Sequence, residues 1–190
     1  MNPIAFTIFG FGIRWYGILI GSGIMIAIFL GQYTCKIKNI SYDTILNIAL
    51  IALPIGIVGA RVYYVIFAWD DVYRNDPIQV FNIRGGGLAI HGGLIFGLTA
   101  ALIYTYIKKL DFLSFADAAA PCIIIAQSLG RWGNFFNSEA HGRQVSTEFI
   151  KHFPNFIQKG MHIQEGSLPI AYYHPTFLYE SLWNLIVFLF

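Results

Sequence analysis

Runs of apolar residues, each close to the length that crosses a bilayer, alternate with polar breaks along this chain. The first spans roughly Trp15 to Tyr33 and is followed by Lys36 and Lys38. The second runs from Thr44 to Trp69 and stops at the polar stretch 70–77. The third, Leu88 to Ile107, ends at Lys108 and Lys109. A weaker fourth, from Phe115 to Phe136, is interrupted near its start by Asp117 and Pro121. A long polar segment, 137–175, separates it from a fifth run that starts near Thr176 and is still apolar at Phe190. A hydrocarbon core about 30 Å thick takes roughly 20 residues of helix, so the pattern predicts an all-α, polytopic transmembrane bundle of about five spans. We expect one integral-membrane domain over 1–190, incomplete at its C-terminus because no basic stop follows the fifth run, with 137–175 as an outward-facing loop region.

Composition agrees with that pattern. Hydrophobic residues make up 56% of the chain and charged residues 12%, against about 25% charged in soluble domains; mean hydropathy is +0.60. A net charge of +2 without a block of like charges gives no electrostatic footprint for nucleic acid. Cys35 and Cys122 lie far apart in or beside apolar runs and read as packing residues rather than a disulfide or metal pair. No charge precedes Arg14, so a cleaved signal peptide is not expected. Lys36 and Lys38 share a side with Lys108 and Lys109, which marks that side as cytoplasmic and puts the N-terminus, 70–87 and 137–175 outside.

With that sidedness, the costly polar groups of the spans collect in one half of the membrane. They are Arg14, Tyr16, Arg61, His91, Arg131, Asn134 and Glu180. Ionisable groups at membrane depth face a bundle interior or a wet cavity, which predicts a polar chamber toward the outer leaflet. Gln127, Arg131 and Asn134 form one helical stripe, flanked by Gly130 and Gly133. A guanidinium there suits a phosphate or carboxylate through two parallel hydrogen bonds; the plainer alternative is an arginine snorkelling to water. The glycine-dense segment Arg84-Gly85-Gly86-Gly87-Leu88-Ala89-Ile90-His91-Gly92-Gly93-Leu94 enters a span. Its glycines can open amides to an anion, and His91 is either a proton acceptor or a packed ring. Thr176, Glu180 and Asn184 make a second stripe, with Glu180 a partner for Arg61 or Arg131 or a holder of a substrate hydroxyl. Arg61 reads as a structural partner or a second anion contact. The pairs Gly17/Gly21 and Gly93/Gly97 have helix-contact spacing. His-Glu-x-x-His and Gly-x-Ser-x-Gly do not occur, which argues against zinc and serine hydrolases.

The stretch Gly130-Arg131-Trp132-Gly133-Asn134-Phe135-Phe136-Asn137-Ser138-Glu139-Ala140-His141-Gly142 resembles the signature of the bacterial prolipoprotein diacylglyceryl transferases, G-R-x-G-N-F-x-N-x-E-x-x-G, at every fixed position. Arg14-Trp15-Tyr16-Gly17, Gly59-Ala60-Arg61, His91-Gly92-Gly93-Leu94 and His174-Pro175-Thr176-Phe177-Leu178-Tyr179-Glu180 resemble other family segments in the same order. The resemblance implies a bundle of about seven spans in the full family, against about five here, with a further essential arginine beyond this chain. It implies transfer of the diacylglyceryl group of phosphatidylglycerol to the lipobox cysteine of a prolipoprotein signal peptide in the bacterial cytoplasmic membrane, without a cofactor or metal. It assigns Arg131 to the phosphate, with Asn134 and Gly142 shaping the headgroup site. His91 becomes the thiol base or thiolate-positioning group, and Tyr16 orients a headgroup oxygen. Glu139 and Glu180 hold hydroxyls or arginines, and Arg61 supports the chamber. Composition alone leaves a lipid or anionic-solute transporter and a noncatalytic scaffold open; the resemblance favours the transferase.

Overall fold

A computed structural model describes residues 1–83 and 86–190. Among the described residues four helices are long and apolar enough to cross a membrane: α1 (Trp15–Lys38), α2 (Tyr42–Phe67), α3 (Ile90–Ile107) and α4 (Phe112–Asn137). A shorter apolar helix, α7 (Thr176–Leu189), ends the chain, and the short helices α5 (Thr147–Ile150) and α6 (Asn155–Gly160) lie between. This is a helical membrane bundle of the expected kind. The apolar side chains along the spans are largely exposed, as lipid-facing residues are; Phe29, Leu50, Leu94 and Trp183 are examples. Backbone contacts group the chain into two compact units, 1–33 with 119–190, and 34–118.

In the first unit the chain opens with an antiparallel hairpin, β1 (Ile4–Ile8) and β2 (Phe11–Arg14). Its two-residue turn puts both Phe9 (φ 47°) and Gly10 (φ 82°) in the left-handed region. That arrangement matches the right-handed twist of the strands. β2 leads straight into α1, and α1 then meets α4 closely: a Cβ on Gly23 would stand 3.1 Å from the carbonyl oxygen of Ala126. Trp15 stacks on Phe136 with ring centroids 5.0 Å apart.

Segment 137–175 is a small folded cap rather than an irregular loop. Strands β3 (Gln144–Val145), β4 (His162–Ile163) and β5 (Ala171–Tyr173) form a sheet in the order β3-β5-β4, antiparallel throughout. Its core gathers Ile150, Ile157, Met161, Ile163 and Tyr173 around Phe135 at the end of α4 and Phe177 at the start of α7. The rings of Phe135 and Phe177 lie 4.7 Å apart. Apolar residues spaced among polar ones made this stretch look like loop; they converge only when the two helix ends are brought together.

In the second unit α2 and α3 pack along a glycine seam. A Cβ on Gly56 would stand 3.2 Å from the carbonyl oxygen of Gly93, and one on Gly92 would collide with the Gly59 carbonyl. The expected Gly93/Gly97 contact is thus present, whereas Gly17 and Gly21 border open space among the described residues. Helix α4 begins ahead of the expected position and runs through Pro121. Asp117 lies inside it, with its carboxylate paired to Lys38 at 3.0 Å. Cys35 and Cys122 are buried, as their apolar settings predict.

Candidate active site

The end of α4 carries most of the candidate chemistry in the first unit. Arg131 and Glu180 form an ion pair, Nη2 to Oε2 at 2.6 Å, with 28% and 46% of their side chains exposed. Of the two partners open to Glu180 on sequence, the fold selects Arg131. Three residues on, Asn134 donates from Nδ2 to Oε1 of Glu139 at 3.2 Å, and Asn137 donates to the same oxygen at 3.1 Å. Glu139 is brought back over the helix end by the left-handed backbone of Ser138 (φ 54°), and Ala140 (φ 50°) turns the chain again after it. The Glu139 amide meanwhile bonds the Asn134 carbonyl at 3.0 Å.

Tyr16 comes from the first turn of α1. Its ring covers Gly133 so closely that a Cβ there would lie 2.5 Å from Cδ2, and it stands in the electrostatic field of Glu139 and Arg131. Gly133 is therefore the position that admits Tyr16, while Gly130 opens on free space among the described residues. The second stripe meets the same region. Thr176 donates to the Ala140 carbonyl at 2.6 Å, and the Gly142 amide bonds the His174 carbonyl at 3.1 Å. A side chain at Gly142 would place its Cβ 2.7 Å from His174 Cβ. Gly142 thus lets the signature loop lie against the entry to α7.

Below this cluster, Ser128 donates to the Ser181 carbonyl at 2.9 Å, and Trp132 Nε1 donates to Ser181 Oγ at 3.1 Å. These bonds fix the rotation of α7 against α4, and hence the aim of Glu180 at Arg131. Sequence reading passed over Ser128 and Ser181. Hydroxyls inside apolar runs are the signal that marks them.

His91 and Arg61 lie in the second unit. His91 is in the first turn of α3, exposed, with its ring 6.1 Å from that of Tyr63 and stacked on it. Arg61 is 7% exposed, and its five N–H donors meet five backbone carbonyls. Nε bonds Val80 at 2.8 Å, and Nη1 bonds Gly86 and Gly87, each at 2.9 Å. Nη2 bonds Gln79, and Asn82 at 3.1 Å. The guanidinium carbon also sits 5.2 Å from the centre of the Tyr73 ring. Among the readings of Arg61, the geometry is that of a structural partner, since no N–H remains for a substrate oxygen. The glycine segment accordingly offers carbonyls to an arginine at Gly86 and Gly87 rather than amides to an anion; Arg84 and Gly85 lie outside the described residues. Among the described residues no group of three or more His, Cys, Asp or Glu side chains is placed to hold a metal ion.

The profile of the family Prolipoprotein diacylglyceryl transferase matches residues 3–190. The chain belongs to that family. It is 57% identical over 190 residues to the Phosphatidylglycerol--prolipoprotein diacylglyceryl transferase of Clostridium botulinum (strain Loch Maree / Type A3), covering all of this chain and 72% of the relative. The protein of the same name from Clostridium botulinum (strain 657 / Type Ba4) is also 57% identical, with 74% of its length covered. That of Clostridium kluyveri (strain NBRC 12016) is 56% identical over 187 residues, covering 98% of this chain and 71% of the relative. For a prolipoprotein diacylglyceryl transferase, the structure brings Tyr16, Arg131, Asn134, Glu139, Gly142 and Glu180 into the first unit, and Arg61 and His91 into the second.

Proposed function

We propose that this protein transfers the diacylglyceryl group of phosphatidylglycerol to the cysteine thiol of a prolipoprotein; the relatives are named as phosphatidylglycerol--prolipoprotein diacylglyceryl transferases. In that reaction a C–S bond forms as the bond between the glyceryl carbon and its phosphate oxygen breaks. The thiol proton passes to a base, and glycerol phosphate leaves as the anion. The observation that carries this reading is the Arg131–Glu180 pair: a partly exposed guanidinium held at 2.6 Å by one carboxylate, at the end of an apolar helix. Glu180 fixes one edge of the fork and the exposed remainder is open to a phosphate, where preorganised donors stabilise charge developing on the leaving group.

Asn134 and Gly142 shape the headgroup site, Glu139 presents its second oxygen to a glycerol hydroxyl, and Tyr16 donates to a headgroup oxygen. His91 is the base or thiolate-positioning group; a free thiol has a pKa of about 8.5, so a neighbouring base accelerates attack. Arg61 supports the chamber. The acceptor is the lipobox cysteine of the signal peptide. Lys36, Lys38, Lys108 and Lys109 favour an orientation with the N-terminus outside and the site toward the outer leaflet, and the family's bacterial relatives favour the bacterial cytoplasmic membrane.

A lipobox peptide incubated with phosphatidylglycerol and membranes carrying the protein tests the reading by mass spectrometry. The expected result is a diacylglyceryl mass gain that requires the peptide cysteine. Lipid or anion flux through these membranes with no mass gain overturns the transferase reading and favours a transporter.

A further inference from the structure

We infer that Arg61 is a positioning residue, a five-point backbone clamp that sets the start of α3 and thereby the direction of the His91 ring. The inference rests on the proposed role of His91. A guanidinium offers five N–H donors in one plane, and here they close on the carbonyls of residues 79, 80, 82, 86 and 87. Those carbonyls belong to the connection between α2 and α3. Burying a cation is costly unless its donors are satisfied, so five carbonyl dipoles and the Tyr73 ring make Arg61 hold residues 79–82 and 86–87 in one arrangement. Lysine cannot replace it, because three donors on a rotating ammonium cannot span five acceptors in a plane.

The clamp reaches His91 through a short backbone path. Next to Arg61, the Ala60 carbonyl accepts the amide of Ala89 at 3.0 Å. Ala89 is the cap of α3 and supplies no side-chain bond to the helix start. The first turn is therefore registered by α2 rather than by a capping side chain. One residue beyond His91, Gly92 is pressed against Gly59 and Tyr63. His91 is thus bracketed between a residue bonded to α2 and a residue packed on α2. Release of the Gly86 and Gly87 carbonyls would free the bracket on its N-terminal side.

The test is a double-substitution cycle in membranes, with Arg61→Lys, His91→Gln and the pair together. Transfer is measured per folded enzyme, and amide hydrogen exchange is followed over 86–89. Arg61→Lys keeps the charge and loses the geometry. It should lower kcat roughly tenfold with little change in KM for phosphatidylglycerol, and should raise exchange at 86–89. Added to His91→Gln it should cause no further loss, because coupled groups are non-additive. Gly87→Ala attacks the clamp from the other side, since its Cβ would meet Nη1 of Arg61 at a position with φ +76°; it should reproduce the Arg61→Lys result and covers failure of that variant to fold. Additive losses, or a rise in KM with kcat unchanged, overturn the inference; the latter makes Arg61 a substrate contact. A normal rate in Arg61→Lys with a slow Arg61→Met makes charge the relevant property and also overturns it. A wild-type rate in His91→Gln alone removes the His91 reading and the coupling with it, while unchanged exchange at 86–89 in Arg61→Lys removes the clamp itself.

Discussion

Arg131 and Arg61 are both arginines of apolar helices, and they are spent differently. Arg61 is 7% exposed and gives its N–H groups to five carbonyls of one loop. Arg131 keeps more than a quarter of its side chain exposed and is held by a single carboxylate at 2.6 Å. A buried cation whose donors are used up stabilises a conformation. A partly exposed one with an anchored edge is placed to bind something. The difference follows from what each helix meets. Arg61 faces the inward carbonyls of residues 79, 80, 82, 86 and 87, whereas Arg131 faces α7, which carries one acid, Glu180.

The largest break in the comparison is at Arg131. Arg131→Ala should lower transfer by about 10²–10³, the loss typical of one preorganised donor to a developing anion, with thermal stability nearly unchanged. Wild-type turnover in that variant would place the phosphate elsewhere. Next is His91→Gln, for which the rate should fall about 10²-fold, as expected for loss of general-base assistance. Gly142→Ala should destabilise the protein by about 1–3 kcal/mol through overpacking against His174, read as a lower midpoint in thermal unfolding and faster proteolysis of the cap. Ser181→Ala removes the acceptor of Trp132 and should cost about 1 kcal/mol; if Glu180 owes its aim to this bond, KM for phosphatidylglycerol should rise as well.

The smallest effect lies away from either arginine, at the start of α4. Asp111 accepts the Ser114 hydroxyl and the Leu113 amide, and the Ser114 bond above all holds its carboxyl below the usual carboxylate range. A depressed value in the folded state stabilises the fold above the unfolded value and loses that contribution as pH falls through the folded one. Asp111→Asn should therefore lower thermal stability slightly at neutral pH and leave it unchanged in strong acid. An equal loss at both pH values would point to lost packing instead.

Much of this was legible in the chain. The spans were located within a few residues, because in lipid a backbone must bond to itself and apolar runs of that length have one outcome. The signature stretch marked Arg131, Asn134, Glu139 and Gly142 by resemblance. The sequence leaves Glu180 open to Arg61, Arg131 or a substrate hydroxyl, since helical spacing gives a face and not a partner. The same limit leaves Arg61 between two roles. The cap over 137–175 read as loop, because its apolar residues follow no single period and its core includes Phe135 and Phe177 from outside the segment.

The sequence by itself determined the number and limits of the spans, the family, and which polar residue types lie within the apolar spans. These depend on local free energies of transfer and on identities at fixed spacing. Tertiary structure alone decided that Glu180 holds Arg131, that Tyr16 rests on Gly133, and that the donors of Arg61 are consumed by a loop. Each of these joins residues distant in the chain, and directional bonds between them form only when helix rotation and backbone turns are fixed together.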